Sequence, residues 1–349
     1  MRKPLMRIPY TGPLPAPSIL PRSANSLPGA IHALSKFLTA PPSHNLPDGV
    51  KDPRSTVILS GAGISVASGL ADYRGSKGTY VLNKSYRPVY YHEFIASDQA
   101  RRRYWARTLT CVTCRKDLPR DVFQESLARL NPAWAAFLAE ILESGALTTE
   151  DPEDRRAKGL KANPDGDVDV PGAPYDTFRY PPCPHCLENP PILKDGSQSI
   201  VEVDEEGAWQ ATSTAGILKP AVVMFGESIN AQVKEAAEQA IDDSGRLLVL
   251  GTSLATYSAW RLARRAQERN MPIAILNLGG VRGEEAFFKN LSGGQTGEFG
   301  VRAELGTDVV LPALVDQLNR IGFTSRKDDV QTPYEARQKN SGMFKDMLS

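Results

Sequence analysis

Four cysteines form two C-x-x-C pairs, Cys111/Cys114 and Cys183/Cys186, separated by 68 residues, and no cysteine is left over. Two thiolates two residues apart can grip one tetrahedral ion from a tight turn, and a second pair closes the coordination, so the pattern points to one bound Zn2+. A redox C-x-x-C would not explain two pairs in a chain with no other cysteine. A secreted disulfide framework would need a secretory signal, and the proline-interrupted start (Pro4, Pro9, Pro13, Pro15, Pro17) has no continuous apolar run; a reducing compartment is expected. His185, inside the second pair, is expected to face solvent rather than bind the ion. A second candidate is Gly61-Ala62-Gly63-Ile64-Ser65. Glycines at 61 and 63 permit a tight turn whose backbone amides could meet a pyrophosphate. Alone, a G-A-G is a weak signal, and a purely structural glycine turn competes with it.

These groups need elements to hold them. Ser55 to Ser60 (STVILS) has strand character and runs straight into the glycine turn, which should open a helix. Pro28 to Leu38 reads as a short helix with Ile31, Leu34 and Leu38 on one face. Tyr90 to Arg107 and Leu127 to Leu142 read as helices, the latter within a composite, acidic, proline-rich stretch between the cysteine pairs. An α/β rhythm then follows: strand Ala221 to Phe225, helix Ala231 to Asp242, strand Arg246 to Leu250, helix Thr256 to Arg269, strand Pro272 to Leu276, and a last short strand Asp308 to Leu311. Strands alternating with helices imply a Rossmann-type parallel sheet. The expected organisation is a basic, proline-rich tail with the leading helix (1–47), a first half of the sheet domain (48–107), a zinc-binding small domain with an insertion (108–212), the second half of the sheet domain (213–322) and a polar tail (323–349).

With 41 basic and 40 acidic residues, net +1, the 349-residue chain lacks the basic excess expected of a nucleic-acid module. No apolar run reaches the roughly 20 residues that span a bilayer. Residues 1–47 hold five basic side chains (Arg2, Lys3, Arg7, Arg22, Lys36) and no acidic one, as organellar transit segments do. Ten prolines before Asp48 argue the other way, for a proline-rich tail, because they oppose the amphipathic helix that import needs. The mitochondrial matrix is the expected location, with nucleus or cytoplasm as the alternative, and a monomer is expected.

The turn continues as Ser68-Gly69-Leu70-Ala71-Asp72-Tyr73-Arg74-Gly75, and G-A-G-I-S-x-x-S-G-L-x-D-Y-R resembles the signature of the sirtuins, NAD-dependent protein-lysine deacylases. The resemblance implies that Gly61, Ala62, Gly63, Ile64 and Ser65 hold the pyrophosphate. It places Asp72 and Arg74 near the nicotinamide ribose, with Tyr73 shielding the reacting carbon. Ala71 stands where the family usually has proline, which should loosen this loop. Gly251-Thr252-Ser253 resembles the family's cofactor-contacting turn, and Asn277-Leu278-Gly279 the turn that holds the adenine ribose. Lys219-Pro220-Ala221-Val222-Val223-Met224-Phe225-Gly226-Glu227 resembles the stretch on which an acyl-lysine peptide pairs as an added strand, implicating Val222, Val223, Phe225, Gly226 and Glu227. The four cysteines match the family's structural zinc ribbon. Leu130-Asn131-Pro132-Ala133-Trp134 and Asn163-Pro164-Asp165-Gly166-Asp167 resemble the class II, mitochondrial-type branch. Tyr104 and Arg107 form a Y-x-x-R that reads first as an ordinary helix face; in some sirtuins such a pair accepts acidic acyl chains.

One part of the family pattern is absent. Between the Tyr104–Arg107 segment and Cys111 the family supplies T-Q-N-x-D and then L-H-G, whose histidine is the general base. Here only Thr108, Leu109 and Thr110 intervene, and His32, His44, His92 and His185 lie in other contexts. No catalytic residue is therefore assigned, and the chain is expected to be impaired or inactive. A parallel strand and its crossover need roughly a dozen residues, so the sheet should also lack a strand and expose an edge. Loss of a mid-sheet piece fits a skipped exon or mis-joined gene model better than an evolved pseudoenzyme. The alternative function is a non-catalytic zinc protein that binds NAD or ADP-ribose.

Overall fold

The computed structural model describes residues 13–68, 72–75, 78–82, 88–97, 101, 109–143, 157, 161–162, 168–169, 177–220, 222–289, 291 and 296–323. Helix α1 (Leu27–Thr39) begins at Ser26, whose hydroxyl accepts from the Gly29 amide at 3.3 Å and so caps a free helix donor. Its buried stripe is Ala30, Ala33, Leu34 and Phe37, rotated from the expected Ile31/Leu34/Leu38 face because the small alanines let the helix approach the sheet. Strand β1 (Asp52–Ser60) passes into the expected helix after the glycine turn, which is a 3-10 helix, Ala62–Ser68. Short helices α2 (Thr79–Leu82) and α3 (Tyr91–Ala96) follow. The expected helix to Arg107 is described only that far, and Tyr104 and Arg107 lie outside the described residues.

The cysteine unit contains β2 (Leu109–Cys111), β3 (Asp117–Leu118), α4 (Arg120–Leu130), α5 (Pro132–Glu143), a two-residue pair β4 (Lys161–Ala162) and β5 (Val168–Asp169), α6 (Pro184–Glu188) and β6 (Leu218–Pro220). The single helix expected from Leu127 to Leu142 is two. Pro132 cannot donate and restricts the residue before it; Asn131 leaves helical geometry and its side-chain amide donates to the Leu127 carbonyl at 2.9 Å. Strand β6 pairs antiparallel with β2, Cys111 opposite Leu218, so this sheet (β3-β2-β6) takes a strand from beyond residue 212.

The second half supplies α7 (Ala231–Asp243), β7 (Ser244–Leu250), α8 (Tyr257–Glu268), β8 (Ile273–Leu276), α9 (Glu284–Phe288), β9 (Gly300–Ala303) and α10 (Thr307–Arg320). Two expectations are corrected here. Asp308 to Leu311 is not a strand but the start of α10: Val310 and Leu314 are buried one turn apart while Val309 and Val315 face solvent, a helical period. The expected buried strand Ala221 to Phe225 is not found either: Ala221 lies outside the described residues, and Val222 to Phe225 form no strand. The strand ends at Pro220, and Val222 and Val223 are exposed, because the Lys219 amine bonds back to the Val222 carbonyl and Gly226 turns the chain with φ 81°.

The large sheet is all parallel in the order β1-β7-β8-β9. Alternate residues of β7 serve two cores. Leu248 and Leu250 pack with α1, α10 and Val301, whereas Leu247 and Val249 pack with Ile241 of α7 and Ala263 and Ala266 of α8. Burying each such leucine contributes roughly 2 kcal/mol. Strand β1 lies at the edge and, among the described residues, pairs with no strand but β7. Its Ile58 is 60% exposed, although the run V-I-L has the composition of a strand covered on both faces.

Candidate cofactor, peptide and zinc sites

The register brings Ser60, Leu250, Leu276 and Ala303, the last residues of the four strands, into one row. The residues that follow, Gly61, Gly251, Asn277 and Glu304, therefore share the carboxyl edge, where doubly wound sheets bind ligands. Gly61 donates to the Leu250 carbonyl at 3.0 Å and Gly63 to the Gly251 carbonyl at 2.9 Å. A methyl group at Gly63 would stand 2.7 Å from the Gly251 oxygen, and one at Gly251 would stand 2.6 Å from the Ile64 nitrogen. Gly251 also needs the left-handed conformation, φ 56°. The two glycine turns thus interlock backbone to backbone, and side chains on either would force them apart. Around them Ile64 and Val66 are exposed and Leu278 is 64% exposed, apolar surface in a position that a bound base or sugar would cover.

The next turns are built on this frame. The Thr252 hydroxyl accepts from Leu254 N at 3.2 Å, and the Ser253 carbonyl accepts from Arg282 N at 2.9 Å. The side-chain amide of Asn277 donates to the Leu278 and Gly279 carbonyls at 2.9 and 3.2 Å. Gly279 N donates to Glu304 at 3.1 Å. Beneath them lies a fully buried ion pair, Arg302 Nε to Glu284 at 3.2 Å. The Arg302 fork also donates to the Asn277 carbonyl at 2.9 Å and the Gly279 carbonyl at 2.6 Å. Sequence reasoning missed Arg302, Glu304 and Glu284. Arg302 lies in a four-residue strand, G-V-R-A, without an apolar pattern, and the acids carry no local signal.

In the segment that follows the first glycine turn, Asp72 accepts from the Gly75 amide at 3.0 Å, and burial pushes its carboxyl above the usual range despite that bond. Burial also draws the Arg74 guanidinium down from its ordinary value; it stacks 5.2 Å from the Tyr80 ring. Tyr73 lies 5.5 Å from the same ring. Gly69, Leu70 and Ala71 lie outside the described residues.

The expected peptide-pairing stretch is a braced loop. Lys219 is buried and its amine donates to the Pro220 and Val222 carbonyls at 3.0 and 2.8 Å, with Glu227 at 3.3 Å. Glu227 accepts from Met224 N at 2.9 Å, and Arg115 of the first cysteine turn stands 3.9 Å from its other oxygen. The Phe225 carbonyl accepts from Tyr91 N at 2.9 Å. Val223 is 57% exposed, and its backbone makes no hydrogen bond among the described residues, so it can offer donor and acceptor to an extended chain.

Cys111, Cys114, Cys183 and Cys186 converge with all four sulfurs within 4.8 Å of one another, 3.5 Å for Cys111–Cys186 and 3.7 Å for Cys114–Cys183. Sulfurs at the corners of a tetrahedron around zinc at 2.3 Å would be about 3.8 Å apart, so the cluster fits one Zn2+. The Cys111 thiol is drawn down to about 5, chiefly by the hydrogen bond from Cys183, against a smaller desolvation effect; burial pushes Cys186 up to about 12. His185 is exposed, as expected, and takes no part in the cluster. The cysteines share their core with Phe123, Leu127, Phe178 and Tyr180, so metal and packing hold the same unit.

Residues 105–258 match the model of the Sir2 family. The NAD-dependent protein deacylase SIR4 of Batrachochytrium dendrobatidis is 31% identical over 290 residues, covering 66% of this chain and 83% of that protein. The NAD-dependent protein deacylase SRT2 of Arabidopsis thaliana is 29% identical, covering 65% and 67%. The human NAD-dependent protein lipoamidase sirtuin-4, mitochondrial, is 26% identical, covering 66% and 76%. A solved Sir2 enzyme aligns with TM-score 0.43 and 16% identity over 83% of this chain and 98% of that one.

Proposed function

The chain belongs to the Sir2 family, and from that premise we propose that its site is that of an NAD-dependent protein-lysine deacylase which binds its cofactor and turns over poorly. The observation that carries the reading is the shared carboxyl edge, on which the interlocked turns at Gly61–Gly63 and Gly251 adjoin the Asn277 turn. When bound, NAD supplies an electrophilic ribose carbon and a nicotinamide leaving group. Gly61 to Ser65 hold the pyrophosphate, Gly251 to Ser253 contact the cofactor, and Asn277 to Gly279 hold the adenosine ribose. Asp72, Tyr73 and Arg74 belong to the nicotinamide end. Val222, Val223, Phe225, Gly226 and Glu227 orient the acyl-lysine peptide. The four cysteines hold one structural zinc.

The poor turnover in this reading rests on the sequence, in which no histidine stands in the context of the family's general base. His32, His44, His92 and His185 are all exposed, on α1, in the loop after it, on α3 and in the second cysteine turn. A general base is worth about 10²–10⁴ in rate. The same reading is supported by β1, which among the described residues pairs with β7 alone. A second reading, a zinc protein that binds NAD or ADP-ribose without chemistry, rests on that same lack. For location we propose the mitochondrial matrix, supported by the acid-free basic start and by sirtuin-4 relatives named as mitochondrial.

The test has two arms: calorimetric titration with ADP-ribose, and single-turnover release of nicotinamide from NAD with an acetyl-lysine peptide. Binding with slow, peptide-dependent release supports the impaired deacylase. Binding without release supports the non-catalytic reading, and no binding overturns both.

A further inference from the structure

The described segment before α1 is not a loose tail. Pro15 lies against the α-carbon of Gly280 so closely that a methyl group there would strike the Pro15 carbonyl. Ser18 N donates to Glu284 at 3.1 Å. Leu20 and Arg302 exchange backbone bonds, 3.0 Å from Leu20 N and 2.6 Å from Arg302 N, so the segment pairs along the outer side of β9. All three contacts fall on one network. Glu284 uses one oxygen for Ser18 and the other for Val281 N and Arg302, and Arg302 holds the carbonyls on either side of Leu278.

We propose that residues 13–20 form a strap that positions the dinucleotide's adenosine side, acting through Glu284 and Arg302 on the Asn277–Gly280 turn. The inference rests on the reading of that turn as the ribose-holding element. Glu284 and Arg302 are both fully buried. Each of their hydrogen-bonding groups needs a partner, and a buried carboxylate that loses a donor moves or takes another. Without Ser18 N the freed oxygen competes for Arg302, whose fork is what fixes the Asn277 and Gly279 carbonyls. The strap therefore acts on ligand affinity through the geometry of the turn, and ligand binding must tighten the strap in return.

The Ser18 contact is made by backbone, which gives a sharp test. Ser18→Pro removes the donor, while Ser18→Ala keeps it. Gly280→Ala pushes Pro15 away by a different route. In calorimetric titration of the full chain with ADP-ribose, Ser18→Pro and Gly280→Ala are expected to raise Kd about three- to tenfold. Ser18→Ala should match the wild type, and zinc content should be equal in all four proteins. Hydrogen exchange on the unmutated chain gives a readout independent of folding defects: the amides of Ser18 and Leu20 should gain protection when ADP-ribose is added. A Ser18→Pro or Gly280→Ala protein that melts earlier yet binds like the wild type reduces the strap to a structural role and overturns the proposal. Unchanged protection of the strap amides overturns it too. A wild-type chain that takes up no ADP-ribose overturns the cofactor reading itself, which distinguishes the two failures.

Discussion

Gly63 donates its amide to the carbonyl of Gly251 at 2.9 Å, and neither α-carbon has room for a methyl group. The contact locks the end of β1 to the end of β7 and shapes the floor on which a pyrophosphate would lie. Gly251→Ala must place a side chain at φ 56° and 2.6 Å from the Ile64 nitrogen. The expected cost is about 1–2 kcal/mol from the backbone conformation alone, read as a lower denaturant midpoint, together with loss of ADP-ribose binding.

Asp72 offers a pH test. Its carboxyl is pushed up by burial, so the folded state favours the protonated form. Stability from this group is fully present below the ordinary carboxylate range and is lost as pH rises through the raised folded value. At neutral pH the charged side chain is therefore a burden. Asp72→Asn should melt higher than the wild type at pH 7, with the difference closing as the pH falls into the acid range. Weaker NAD binding in the same variant would mark Asp72 as kept for the ligand.

The zinc reading predicts one metal per chain by elemental analysis. Any single Cys→Ser change at 111, 114, 183 or 186 should lower that figure. Chelation should expose four reactive thiols and melt the small unit, since Cys111, Cys183 and Cys186 are packed with Phe123 and Leu127.

Among the described residues β1 pairs with β7 alone, which predicts self-association through its other edge. An exposed strand with Ile58 uncovered is a template for further pairing. Ile58→Lys should leave the melting temperature nearly unchanged and reduce concentration-dependent light scattering. Equal scattering from both proteins would mean that another surface drives it.

A processing site can also be forecast. Residues 13–20 hold Glu284 and Arg302, and α1 fills a core with Leu248 and Val301. If the chain is imported, N-terminal sequencing of the mature protein should find the cut before Pro13. A mature form beginning after Leu20 would contradict the role given to the strap.

The glycine turns and the cysteine cluster were legible because each is local: glycines where backbones touch, paired cysteines two apart, and β-branched runs ending at turns. The short Thr108–Thr110 link was legible as a missing length of chain, and among the described residues β1 pairs with β7 alone. Less visible were features set by tertiary contact. V-V-L at 309–311 resembles a strand until Val310 and Leu314 are seen to share a core, while the true last strand, G-V-R-A, is too short and mixed to announce itself. The loop at Val222–Glu227 depends on Lys219 and Glu227 meeting across the chain, which no periodicity reports. Arg302 and Glu284, the brace under the Asn277 turn, are likewise residues whose meaning lies in a partner 18 positions away.

Helix α1 lies near one end of the described chain and α10 near the other, yet Leu34 and Phe37 share their core with Val310 and Leu314. During synthesis this face of the sheet cannot close until the ribosome has released almost everything described here. Until then α1 waits with its apolar stripe uncovered, a long interval in which a chaperone has something to hold.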